Sequence, residues 1–196
     1  AKKRGARYVL MAHSRDDQIE TVLDRILRGT GLAGLRGRPR ERELEHGIAL
    51  VRPLLEVSRH EILDYLSELG QEYCHDASND DVKYTRNRIR HELLPLLKNQ
   101  YHSAADEALL RLQQMSSELQ DVIAEIVYPL FQTHVRFTDG IACQRVEITC
   151  EGLTDVAPYL IRELFILVWK QQHWSRGAMT AVHWQRLAEA VATPLA

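Results

Sequence analysis

The chain has 196 residues, 45% hydrophobic and 27% charged, enough for one large domain or a domain and a half, which excludes collagen, disorder and a disulfide scaffold. Cys74, Cys143 and Cys150 form no CxxC pair, so no zinc ribbon or iron–sulfur framework is expected, and a reducing, cytoplasmic setting is. The net charge of −2 averages a basic front, eleven Lys/Arg against five Asp/Glu over residues 1–42, with an acidic rear, seven against eleven over 99–196; one face can then meet a polyanion.

The chain opens at Ala1 on a basic run without an initiator Met, and the expectation is a start in mid-domain. Arg7 to Ala12 is a short apolar run that predicts a buried parallel strand, its C-terminal end at His13-Ser14 forming a functional edge. Ser14 and Asp17 match a capping box, and Ile19, Val22, Leu23, Ile26 and Leu27 recur at helical spacing. Gly29, Gly31 and Gly34 break this helix into a loop that runs on through Arg36, Arg38, Arg40 and Arg42, equally readable as a solvated stretch. Ile48 to Leu55 predicts a second strand. Ser58 and Glu61 form another capping box, before a helix with a face of Ile62, Leu63, Leu66 and Leu69 that ends at Gly70. The order strand, helix, strand, helix argues for a parallel α/β architecture.

After residue 100 the pattern turns helical. Ala105, Ala108, Leu112, Met115, Leu119, Val122 and Ile126 predict a long helix packed along another element. His134 to Thr149, with Asp139-Gly140 between β-rich runs, predicts a hairpin. Residues 155–172 and 180–192 predict two more helices, the second capped by Thr180. The domain boundary is expected near 98–103, giving domains at 1–100 and 101–196. The most apolar stretch, Leu164 to Trp169, is too short to cross a bilayer, so no membrane partner is expected.

Chemistry concentrates at two places. In His13-Ser14-Arg15-Asp16-Asp17-Gln18-Ile19-Glu20-Thr21, at a strand-to-helix handover, Asp17, Glu20 and Asp24 share the helix face opposite the apolar stripe. Like charges so spaced call for a cation: a metal, an ammonium group or an Arg. The plainer alternative is a solvated first turn favoured by the helix dipole. Position favours function, because open α/β sheets bind ligands at the C-terminal ends of their strands. His13 has no second His within helical reach and makes a poor metal-hydrolase signature. The second place runs from Asp76 through His91, where an Asx-rich turn precedes Arg86 and Arg90, four apart on one face. Two guanidiniums near a helix start suit phosphate oxygens; pairing of these arginines with Glu92 or the acids at 76–81 is the equal alternative. The glycines of GTGLAG follow a helix and lack a phosphate-loop pattern.

Together these segments resemble the tRNA(Ile)-lysidine synthetase family of the PP-loop, or N-type ATP pyrophosphatase, superfamily. The resemblance lies in AHSRDDQIETVLDRILRGTGLAGLRG at 12–37, RPLLEVSRHEILDYL at 52–66 and HDASNDDVKYTRNRIRHELLPLL at 75–97. It implies an incomplete Rossmann-like parallel-sheet domain, akin to the adenine nucleotide alpha hydrolases, then a mainly helical tRNA-binding domain with a short β-hairpin. It also implies a carbon–nitrogen ligase. ATP adenylates the C2 oxygen of the wobble cytidine in tRNA(Ile), and free lysine displaces AMP to form lysidine. By the same resemblance Asp17 and Glu20 hold the lysine ammonium or Mg2+, with Asp17 as the metal ligand. His13 and Asp16 line that pocket, and Arg86, Asn87 and Arg90 face the phosphates and the activated base. Asp17, Glu20 and Arg86 would then be catalytic, and His13, Asp16, Asn87 and Arg90 substrate-binding.

The superfamily's Ser-Gly-Gly-x-Asp-Ser loop does not occur in these residues. The expectation is an incomplete portion of a longer enzyme, inactive alone. The sheet near Arg7–Ala12 should then show an unpaired edge or pair with another chain, a homodimer being one such case. Three other readings stand beside this one. Thiolation of a tRNA cytidine is disfavoured by the absence of CxxC; a noncatalytic tRNA-binding fragment would use the basic front alone; a helical interaction module would rest on residues 101–196.

Overall fold

The computed structural model describes residues 2–74, 76–139 and 144–192. They form two compact units, Ala1–Glu118 and Leu119–Ala196.

In the first unit, β1 (Tyr8–Leu10) leads into α1 (Arg15–Leu27), then a single turn α2 (Leu32–Leu35), β2 (Glu41–Glu45), β3 (Ile48–Val51) and α3 (Arg59–Glu68). The sheet order is β1-β3-β2, with β1 parallel to β3 and β2 antiparallel to β3. The expected parallel βαβ crossover is therefore present. Its local signals hold: both capping boxes close, Ser14 with Asp17 and Ser58 with Glu61. Gly70, at φ +62°, ends α3 in a Schellman motif, its N–H meeting Ser67 O while Gln71 N–H reaches Leu66 O. The core of the unit is Ile19, Val22 and Leu23 of α1 against Ile48 and Leu50 of β3 and Ile89.

Three expectations for this unit are corrected. β1 is not buried: it lies at the sheet edge, with Tyr8 63% and Leu10 68% exposed. The second strand stops at Val51 instead of Leu55, because Pro53 has no N–H to continue a ladder. Residues 41–45, expected in a loop, form β2; their sequence Glu-Arg-Glu-Leu-Glu is exposed throughout and has no apolar alternation, so backbone pairing with β3 across the tight turn at Gly47 (φ +75°) holds it.

From Thr85 the chain is helical to Tyr101, alternating α4 (Thr85–Arg88) and α5 (Leu94–Leu96) with two π turns, Ile89–Leu93 and Leu97–Tyr101. Pro95 lacks the N–H that a regular α ladder would use here. Next comes α6 (Ala105–His134), within which the two units divide. Most of the expected stripe along it is not packed: Ala105 is buried, but Met115 is 66% exposed, and Leu119, Val122 and Ile126 about half, while the other buried positions are Ser116, Ile123 and Val127.

The second unit continues with β4 (Val135–Asp139) and β5 (Gln144–Ile148), paired antiparallel as the expected hairpin. Its turn residue Gly140, like Cys143 and His75, lies outside the described residues. α7 (Pro158–Gln171) and α8 (Ala181–Ala192) pack through Ile161, Leu164, Val168, Ala188 and Val191, and Trp169 meets Trp174 and Trp184 edge-on. No helix among the described residues is long and apolar enough to cross a membrane.

Candidate active site

The C-terminal end of β1 hands over to α1 at His13-Ser14, and α1 turns its acidic face toward the Thr85–Leu93 helical turns. Glu20, with 1% of its side chain exposed, receives Arg86 Nε at 2.7 Å on one oxygen and Arg90 Nε at 2.5 Å on the other. Asp17 Oδ1 accepts from Arg86 Nη2 and, at 3.4 Å, from Arg90 Nη2, while its Oδ2 accepts the Ser14 N–H at 2.8 Å. Two carboxylates and two guanidiniums thus form a closed quartet from segments 66 to 73 residues apart. The cation that the acid spacing calls for is, in this arrangement, arginine. Asp24 is served separately by Arg28 at 3.0 Å, an i,i+4 pair.

Burial alone would lower the Arg90 guanidinium; the hydrogen bond and charge of Glu20, with the charges of Asp17 and Asp16, outweigh it and hold it above its ordinary value. Arg86 stays 45% exposed on its side chain, so the quartet has a buried acidic floor and a guanidinium that reaches solvent. The open cleft beside it measures about 540 Å3, and its lining includes His13, Asp17, Arg59, Tyr84, Arg86, Asn87 and Arg90.

His13 sits between two arginines. Arg52 Nε donates to its Nδ1 at 3.0 Å, and Arg38 Nη1 lies 3.4 Å from its Nε2. Guanidinium has only donors and a neutral imidazole only one acceptor nitrogen, so the shorter contact makes Nδ1 the acceptor and leaves the proton on Nε2. Desolvation, followed by the charge of Arg38, pushes the imidazole below its ordinary value, with Asp17 opposing. Neutral His13 Nε2–H and the Arg38 Nη1 are adjacent donors, an arrangement suited to an anionic or carbonyl oxygen.

The other expected residues are placed differently. Asp16 accepts the Arg59 N–H at 2.6 Å and so caps the start of α3. Asn87 is buried and gives its side-chain N–H groups to Ser78 O and Asp81 O, both at 2.9 Å, which fastens the Asx turn to α4. His13, Asp17, Glu20, Arg86 and Arg90 are brought together, Asn87 lines the same cleft while it ties down the Asx turn, and Asp16 supports the neighbouring backbone. Each Asp17 oxygen accepts at least one hydrogen bond in this arrangement, and no group of three acidic, His or Cys side chains placed to hold a metal occurs among the described residues. Sequence reasoning missed Arg38 and Arg52, although a charged residue directly after the apolar run Ile48–Val51 is a signal of a buried polar anchor.

A parallel βαβ unit with a charged cluster at its strand ends defines an α/β domain of the nucleotide-binding type. Residues 1–97 match the model of the PP-loop domain, and this part of the chain is a PP-loop domain. It is similar to the tRNA(Ile)-lysidine synthase of Rhodopirellula baltica, 37% identical over 95% of this chain and 50% of the relative. The tRNA(Ile)-lysidine synthases of a Thermotoga species (38% identical, covering 84% and 38%) and Nitrosomonas europaea (44%, covering 62% and 27%) are similar as well. The chain spans about half the length of the Rhodopirellula relative, and less of the other two.

Proposed function

We propose that this chain is the part of a tRNA(Ile)-lysidine synthetase that carries the acid–arginine face of its active site. The observation carrying this reading is the quartet of Asp17 and Glu20 with Arg86 and Arg90, which joins two motifs of the family resemblance through space. The reaction is ligation: the wobble cytidine C2 oxygen takes the adenylyl group of ATP with release of pyrophosphate, and the amine of lysine then attacks C2 and expels AMP.

On this reading Arg86, half-exposed over a carboxylate floor, meets negative charge that develops on the transferred phosphoryl group. His13, fixed as the Nε2–H form by Arg52, donates to an oxygen in the same cleft. Asp17 and Glu20 hold the two arginines in place, and a lysine ammonium engages Glu20 only by displacing a guanidinium. Use of ATP is carried to this chain by the PP-loop match over residues 1–97.

The test is incorporation of labelled lysine into a tRNA(Ile) transcript with ATP. It should be seen with residues 1–196 put in place of the matching stretch of the Rhodopirellula baltica relative, and lost on Arg86→Ala. The 196-residue chain by itself should give none. Lysine incorporation by the chain alone, or sulfur incorporation in place of lysine by the chimera, would overturn the assignment.

A further inference from the structure

The backbone of the loop Gly34–Arg40, which reads in sequence as solvated and arginine-rich, is fixed from several sides. Gln18, on the buried face of α1, closes a pair of hydrogen bonds with Arg38: its Nε2 donates to Arg38 O at 2.9 Å, and Arg38 N–H reaches its Oε1 at 2.7 Å. Arg25 Nη1 donates to Gly34 O and, at 2.9 Å, to Gly37 O. Arg52, itself 5% exposed, donates to Pro39 O at 2.7 Å, and Gln113 in the first half of α6 donates to Arg36 O at 2.8 Å. Gly37 adopts φ +71°, and a Cβ there would lie 2.8 Å from the Gln18 amide. Burying polar side chains costs desolvation that only their hydrogen bonds offset, so this rigidity is not what a merely solvated connection requires.

What the clamps hold in place is positive charge. Arg36 and Arg40, with Arg15 of α1 and Arg111 of α6, line an open cleft of about 670 Å3 in the first unit, against two acids, Glu41 and Glu56; Arg38 lines it too, but its guanidinium is engaged by Thr21 Oγ1 at 2.9 Å and by His13. Arg40 pairs with Glu56 at 2.8 Å, with both side chains more than half exposed, a contact that an incoming anion can exchange. Arg111 has no ion-pair partner among the described residues. The remaining walls include Gln113, Gln114 and Ser117, which can hydrogen-bond sugar and phosphate, and no aromatic ring lines the cleft. It therefore offers nothing on which to stack a base and much to meet a backbone.

We propose that this cleft is a docking groove for the phosphate backbone of RNA, in which the clamped loop presents its arginines already oriented. The inference rests on the tRNA-modifying reading and adds to it a surface separate from the quartet. Guanidinium forks suit phosphate oxygens in particular, and orientation fixed in advance spares the ordering cost at binding.

The test is fluorescence anisotropy of the 196-residue chain with a labelled anticodon-arm hairpin and with an unrelated hairpin of equal length, across a salt series. The double variant Arg40→Gln/Arg111→Gln should weaken both RNAs by a similar factor and reduce the slope of log K against log salt by about one per arginine removed. Gly37→Ala keeps the charge but displaces the Gln18 clamp, and should weaken binding several-fold in protein shown to be folded by circular dichroism. An unchanged slope in the double variant, no RNA binding by the chain, or displacement of RNA by ATP or by poly-glutamate of matched charge would each overturn the groove. Lysine incorporation is read separately: if it persists in the chimera while the groove variants bind RNA normally, the groove fails and the function stands.

Discussion

Removing the Glu20 carboxylate strands two guanidinium groups against a buried wall. Breaking a buried ion pair from one side costs about 3–5 kcal/mol, and Glu20→Ala should lose stability of that order in urea or guanidinium melts. Asp24→Ala, one turn along the same helix face, removes a half-solvated pair with Arg28 and should change stability by about 0–1 kcal/mol. Equal effects would mean that the quartet is not the anchor described. His13 gives a pH signature. Its imidazole is held below the ordinary value of about 6.5, so as pH falls from there the unfolded chain takes up a proton before the folded chain does. Stability should be fully present above that window and decline below it until the folded value is reached; His13→Asn should flatten this part of the wild-type pH–stability curve, read by denaturation at stepped pH. At this scale the sequence reveals the demand but not the partner. The spacing of Asp17 and Glu20 calls for a cation and includes arginine among the candidates, whereas Arg86 and Arg90 look equally ready for the acids at 76–81, because nothing local encodes a contact some 70 residues distant.

Helix ends and turns were the most readable elements, since a capping box or a Gly at φ > 0 acts within four residues. β2 was not readable, because a strand held by backbone pairing alone leaves no hydrophobic period behind. The stripe along α6 was misread for a related reason: periodicity shows which residues share a face, not whether that face is covered. Gln18 is instructive, because it sits one turn before Val22 on the apolar side of α1, and a polar residue on an apolar face signals a buried hydrogen-bond partner. Its partner is the loop at Arg38. Gly37→Ala therefore carries both an unfavourable φ and a close approach to the Gln18 amide, and should cost about 1–3 kcal/mol in thermal or chemical melts. Gly31→Ala, in open space without a positive φ, should be nearly silent.

Across the whole molecule the near-zero charge conceals a division of labour between a basic first half, with the quartet and the arginine cleft, and an acidic remainder. The parallel crossover was legible from element order alone; the exposure of β1 was not, because an apolar strand reads the same whether or not a neighbour covers it. That strand has a practical consequence. Its outer edge offers unpaired backbone N–H and C=O groups flanked by Tyr8 and Leu10, a template on which another strand can add in register. Concentrated solutions of the 196-residue chain should self-associate through this edge, giving light scattering that rises with concentration. A lysine at Leu10 should suppress it and a lysine at the equally exposed Leu69 should not, so the shelf life of a purified sample becomes a readout of which edge of the sheet is open.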